Sequence, residues 1–267
     1  MILRHAREPI DDLPVENTFE AVDERSGSLL GSCAIYVSRS PELFPARPIR
    51  IYMDIQGTPA PDALLGAAVA RAKELGLQSG EPCRIFTQAE PDDIARKDAL
   101  ELFGFMDNDG LVRMQLELPG DAPGQLPFSS VIVKDDLDDP IEQGYFLERV
   151  NQLYNESYDD EWLAEFRGHD GFTRILIVSP AGMLGEAAIW QEEGCGVIGW
   201  LHTAKKWRRK GVCRRIVEIA CQEFENRGLR CATAEIQARI PNLLHIIEHL
   251  GFRQAELILR YPGFDMN

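Results

Sequence analysis

The stretch "KKWRRKGVCRRI", Lys205 to Ile216, holds seven Lys and Arg between Lys205 and Arg215, in a chain of 267 residues whose formal net charge is -15. Just before it, "GVIGWLHTA" (Gly196–Ala204) has the composition of a strand. Just after it, Val212, Ile216, Val217, Ala220 and Phe224 recur at helical spacing until Gly228 stops the pattern. The basic segment is therefore a loop that ends a strand near Thr203 and opens a helix near Gly211. A helix start carries unpaired N–H groups and a partial positive charge, so it can hold an anion. Gly211 lets the backbone approach that anion without an intervening Cβ. Arg208, Arg209 and Lys210 are unfavourable for the helix itself, and a bound polyphosphate would compensate them.

Outward from the loop, the second half continues with strands at "TRILIVSP" and "MLGEAAIWQ", joined by a "PAG" turn, ahead of the one already named. After the helix come a short strand "CATAEIQ", a helix "PNLLHIIEHLG" and a strand "AELILRY". The first half repeats the order. "NTFEAVD", "SLLGSCAIYV" and "RPIRIYMDI" read as strands, "PDALLGAAVARAKELG" as a helix and "CRIFTQ" as a strand; "DDIARKDALELFG" is a helix and "GLVRMQLEL" a strand. "KELGL" at Lys73 parallels "ENRGL" at Glu225, and "LFGF" at Leu102 parallels "HLGF" at His249, offsets of 152 and 147 residues. This is the pattern of a duplicated unit. "LPGDAPGQLP" (Leu118–Pro127) reads as the linker between the copies.

Arg208-Arg209-Lys210-Gly211-Val212-Cys213, with "HIIEHLGFR" downstream, resembles the GNAT acyltransferase superfamily. The family's pyrophosphate loop has the form [RQ]-x-x-G-x-[GA], and Cys213 stands at its last position. The resemblance covers roughly Phe128 to Phe264 and implies an α/β (α+β) fold of two GNAT-like domains. Each would be a mixed, mostly antiparallel sheet flanked by helices. Residues 1–120 would be a degenerate copy, 121–127 the linker and 128–267 the acyl-CoA-binding domain. The resemblance further implies that acetyl-CoA or another acyl-CoA lies between the splayed fourth and fifth strands, its pyrophosphate on the segment Arg208, Arg209, Lys210, Gly211, Val212, Cys213 and Arg214. Its pantetheine would pair with Leu201-His202-Thr203, and Asn242 would stand near it. A primary amine would attack the thioester directly. Where the family often has a tyrosine as general acid, this chain has Ile247.

An ammonium acceptor needs a route for one proton. His202 and Glu235, near the ends of the strands expected to diverge, are the candidates, with Glu186 a weaker third. Gln143–Phe166 is expected to form a helix pair over the acceptor site; its Glu156, Asp159, Asp160 and Glu161 suggest a cationic acceptor, and Tyr145, Tyr154 and Tyr158 could line the pocket. The corresponding loop of the first copy, "IQGTPAPDALLG", lacks the cations and places Asp62 in the first helical turn, where it would repel a pyrophosphate.

Other readings are weaker. "HIIEH" (His245–His249) matches a metal pattern but lacks a suitably placed downstream glutamate, so no metal is expected. The acidic balance and the lack of a second basic cluster argue against nucleic acid. No apolar run approaches the ~20 residues of a membrane helix, and "MILRHAREPIDD" shows no secretory h-region, so a cytoplasmic location without membrane association is expected. The six cysteines show no paired spacing and are expected to be reduced packing thiols. The reading from another class is a non-catalytic acyl-CoA sensor, motivated by Ile247.

Overall fold

The computed structural model describes residues 1–267 except 8, 9, 11, 12, 58–60, 121, 122 and 156. The strands are β1 (Ile2–Arg4), β2 (Thr18–Val22), β3 (Leu29–Arg39), β4 (Ile49–Gln56), β5 (Cys83–Thr87), β6 (Gly110–Glu117), β7 (Val131–Asp135), β8 (Thr173–Ser179), β9 (Gly182–Glu192), β10 (Cys195–Thr203), β11 (Cys231–Gln237), β12 (Arg253–Arg260) and β13 (Gly263–Met266). The helices are α1 (Asp62–Ser79), α2 (Ile94–Leu102), α3 (Pro140–Tyr154), α4 (Asp160–Arg167), α5 (Val212–Asn226) and α6 (Pro241–His249).

They form two mixed sheets with flanking helices, in two compact units: residues 1–111, 153–155 and 257–267 in one, 112–152 and 156–256 in the other. In the first unit the sheet order is β1-β2-β3-β4-β5-β13. The first four strands are antiparallel neighbours, and α1 carries the chain across to β5, which runs parallel to β4. Ile35, Ile51, Met53, Leu64, Ala68 and Ile85 are sealed in its core. In the second unit the same succession recurs. β8, β9 and β10 are an antiparallel meander, and α5 crosses over to β11, parallel to β10. The duplicated order expected from the sequence is present at this level.

The units do not follow the chain as two consecutive segments. β6, which closes the first repeat in sequence, lies between β11 and β12 in the seven-stranded sheet β12-β6-β11-β10-β9-β8-β7. β13, a strand not expected from the sequence, completes the first sheet antiparallel to β5. The linker expected at 121–127 lies within the segment Leu118–Pro127. In the segment that contains it, the Leu118 N–H donates to Arg230 O at 2.8 Å, and the Gly120 N–H donates to Glu225 Oε1 at 2.8 Å. Gly124 abuts the Arg215 guanidinium. Gly120 and Gly124 therefore lie along α5; residues 121 and 122 are outside the described set.

The cysteine expectation is corrected. Cys195 and Cys231 are joined in a disulfide, with Cα atoms 4.9 Å apart, while Cys33, Cys83, Cys213 and Cys221 are free. The pair is separated by 36 residues of sequence, yet Gly196 is registered with Ala232, so the two thiols begin adjacent strands side by side. Spacing in the sequence carries no trace of that. No helix among the described residues is long and apolar enough to cross a membrane.

Candidate active site

The site is built on β9, β10 and β11. Along β9 and β10, Ile198 is opposite Ile189, but Trp200 is opposite Ala188, which makes Gly199 the extra residue of a bulge. Ile189 and Ala188 lie on opposite faces of β9, so Ile198 and Trp200 do as well. Simple alternation would have kept Ile198, Trp200 and His202 on one face. The bulge instead carries Trp200 and His202 to the α3 face, where Phe146 of α3 lies edge-on to Trp200 with ring centroids 5.8 Å apart. Gly199 is required by crowding: a Cβ there would stand 1.6 Å from Cη2 of Trp190.

β10 and β11 are parallel partners at Gly196–Ala232, Val197–Thr233 and Ile198–Ala234, and the register goes no further. The two strands thus open toward their C-terminal ends. The first unit makes no such opening. β4 and β5 stay in register for all of β5, from Ile49–Cys83 to Met53–Thr87, and the β3–β4 register runs unbroken from Ser32–Gln56 to Arg39–Ile49. Asp62 begins α1, as expected; residues 58–60 of the equivalent loop are outside the described set.

At the mouth of the opening, Lys205–Trp207 make one 3-10 turn and Arg208 is extended. Arg209 and Gly211 take positive φ of 61° and 79°. Among the described residues no side chain caps the start of α5 at Gly211, and a Cβ on Gly211 would meet nothing within 4 Å. The first-turn N–H groups of Val212, Cys213 and Arg214 therefore face open space at the positive end of the helix. The cations divide their duties. Arg208 Nε donates to Thr203 O at 3.1 Å and Lys206 Nζ to Ala181 O at 3.1 Å, which ties the loop to the strands. Arg214 and Arg215 both bind Glu218 on the same helix, so their charges are partly spent within α5. Arg209 and Lys210 are exposed at the mouth. Cys213, in the first turn, is half-buried; burial pushes its thiol up to about 11, with the Thr203 hydroxyl pulling the other way. It is a neutral packing group at neutral pH.

His202 is half-buried, and its register partner is Glu186. Glu186 is fully buried, and both its oxygens accept from Arg149 of α3, at 2.6 and 2.9 Å. A buried carboxylate gripped in this bidentate way is a fixed group beside the histidine. Arg149 carried no signal in the sequence, because only packing brings α3 over β9. Gly199 did carry one, as a glycine inside a strand pattern. Glu235 is exposed and accepts from Arg113 Nη2 at 3.0 Å; its hydrogen bond raises the arginine's pKa. Arg113 also binds Glu256. His202 and Glu235 are thus held in different settings, one among aromatic rings and the other in a surface ion-pair network. Asn242 is exposed in the first turn of α6, and Ile247 is fully buried in that helix.

Asp159 caps α4 by accepting from the Trp162 N–H, and Asp160 and Glu161 fill the first turn, so these acids serve the helix. Glu156 is outside the described residues. Tyr145 and Tyr154 are exposed on α3, while Tyr158 stacks on Trp162. His245 and His249 are adjacent on α6, and among the described residues no group of three or more potential ligands could hold a metal.

Residues 139–252 match the sequence model of the acetyltransferase (GNAT) family. The chain is similar in fold to a GCN5-related N-acetyltransferase from Sphaerobacter thermophilus, at 13% identity and a TM-score of 0.53, over 96% of this chain and 82% of that one. A tandem GNAT protein from the clavulanic acid biosynthesis pathway gives 14% identity and a TM-score of 0.45, over 93% and 82% of the two chains. A GCN5-related N-acetyltransferase from Kribbella flavida gives 14% and 0.44, over 88% and 86%. No curated protein sequence matches the chain.

Proposed function

From the match of residues 139–252 to the GNAT family, we propose that this protein binds one acyl-CoA per chain, in the opening between β10 and β11, and transfers the acyl group to a primary amine. The observation that carries the reading is the coincidence of three features. The β10–β11 register ends at Ile198, the Gly199 bulge re-aims the rest of β10, and an uncapped helix start lies at the mouth. The space in front of Gly211 is open to a Cβ, and a pyrophosphate there would accept from the backbone N–H groups of Arg209 to Arg214, with Arg209 and Lys210 adding charge. Bound acyl-CoA supplies an activated thioester.

The chain's own residues would do the rest. The open edge of β10 at Leu201–Thr203 would orient the pantetheine and aim a backbone N–H at the thioester carbonyl. His202 would take the proton that the ammonium of the acceptor loses. Glu235 could relay it through water. Ile247 offers no proton, so the departing thiolate would be protonated by solvent. Acetyl-CoA is the expected acyl donor and the cytoplasm the expected location. The first copy, with its closed β4–β5 pair and its aspartate, would bind no acyl-CoA.

The buried Ile247 favours one other reading, a non-catalytic acyl-CoA sensor. Calorimetric titration with acetyl-CoA, followed by turnover assays on a panel of amines, tests both. One site per chain with turnover is expected. Binding without turnover supports the sensor, and no binding at millimolar ligand sinks the acyl-CoA assignment.

A further inference from the structure

Beside the phosphate loop, Phe128 and Ser129 are the central residues of a turn closed by Ser130, whose N–H donates to Pro127 O at 3.2 Å. Phe128 and Ser129 both have positive φ, 57° and 50°. For a bulky L residue that region is strained by about 1–3 kcal/mol. The strain does not bury the ring, since Phe128 remains 49% exposed. It holds the ring against Trp207, with centroids 4.7 Å apart and planes tilted by 41°. Lys210 Nζ lies 4.7 Å from the Trp207 ring centroid and 5.7 Å from that of Phe128, while Lys206 Nζ is 5.3 Å from Trp207. The buried indole N–H of Trp207 finds no acceptor among the described residues, so the hydrogen bond that usually justifies a buried tryptophan edge is missing. Trp207 immediately precedes Arg208 and the phosphate cradle.

We infer that Phe128 and Trp207, with Lys210 and Lys206, form a platform for the adenine and 3′-phosphate end of acyl-CoA. The inference rests on the acyl-CoA reading above and deepens it. A purine can stack on the exposed face of Phe128 whatever its hydrogen-bonding edge, and such stacking is sequence-tolerant. Lys210 is already within cation–π reach of both rings and can swing from ring to phosphate when the nucleotide arrives, while Lys206, held on Ala181 O, adds its charge beside Trp207. The nucleotide end would then anchor the ligand while the thioester end reaches along β10.

The test compares two ligands by calorimetry: acetyl-CoA, and S-acetyl-phosphopantetheine, which lacks the adenylate. Changing Phe128→Gly removes the ring and relieves the positive φ. The variant should therefore unfold at the same or a higher temperature than wild type. Its affinity for acetyl-CoA should fall by about tenfold or more, and its affinity for acetyl-phosphopantetheine should stay within about twofold of wild type. Phe128→Ala should lose acetyl-CoA affinity to the same extent. Equal losses for both ligands, or a lower melting temperature with unchanged acetyl-CoA affinity, would make the ring structural and overturn the inference. Wild-type protein that binds neither ligand would instead overturn the acyl-CoA reading beneath it.

Discussion

Two substitutions at Gly211 separate what the residue does for the fold from what it does for the ligand. Gly211 has φ 79° at the start of α5, and a Cβ there meets nothing within 4 Å. Gly211→Ala therefore adds backbone strain alone, about 1–2 kcal/mol for an L residue in the left-handed region. Gly211→Asp should be strained less, because aspartate is among the residues that tolerate this region and because a carboxylate suits the positive end of a helix. In thermal unfolding the Ala variant should be the weaker of the two. In binding the order reverses. A carboxylate about 5 Å from a pyrophosphate charge repels it by about 3 kcal/mol at an effective dielectric of about 20. That corresponds to roughly two orders of magnitude in Kd. The assay pairs thermal unfolding with calorimetric titration of acetyl-CoA at low ionic strength, where screening is weakest. An Asp variant that keeps wild-type affinity would refute the anion-site reasoning. Equal weakening in both variants would place the effect in the backbone instead.

The remaining expectations concern the frame around the site. Gly199→Ala should drive Trp190 from its place, lowering the melting temperature and acetyl-CoA affinity together, since a Cβ would stand 1.6 Å from the indole; an unchanged melting temperature would show that the ring can move aside. Arg84 is fully buried and donates to Asp265, Asn108 and Tyr261 O, so Arg84→Met should cost the first unit about 3–5 kcal/mol. It should also expose residues 261–266 to proteolysis, which mass spectrometry of the nicked chain would detect. Thiol titration of the unfolded protein should find four free cysteines before reduction and six after it. The Cys195→Ser/Cys231→Ser double variant should lose up to about 4 kcal/mol of stability, the chain-entropy estimate for a loop of this size. Burial pushes Cys33 and Cys221 up to about 12 and Cys213 up to about 11, all from 9.0. The folded state thus favours the neutral thiols. Their contribution is complete below pH 9.0 and is lost as pH climbs through 11 to 12. The urea midpoint should fall over that window, and a flat midpoint would contradict the burial of these thiols.

Much of the second unit was legible in the linear chain, because the signals involved are local. A helix announces itself through apolar residues at Val212, Ile216, Val217 and Ala220, and its start through Gly211 and the preceding cations. The repeat was visible in the matching ends at Lys73 and Glu225. These readings need only residues within a few turns of one another, so the order of elements and the basic loop at the start of α5 followed from composition and spacing. The tertiary structure decided what depends on hydrogen bonds between distant segments. A one-residue bulge at Gly199 turned Trp200 and His202 toward α3, where period-two alternation would have turned them away. Strand pairing placed β6 in the second sheet and β13 in the first, against the order of the chain. It also set Cys195 beside Cys231. Packing put Arg149 on Glu186 and Phe128 on Trp207, pairs separated by 37 and 79 residues. A sequence states which groups can pair; which of them do is settled only when the register of the sheet and the docking of the helices fix their distances.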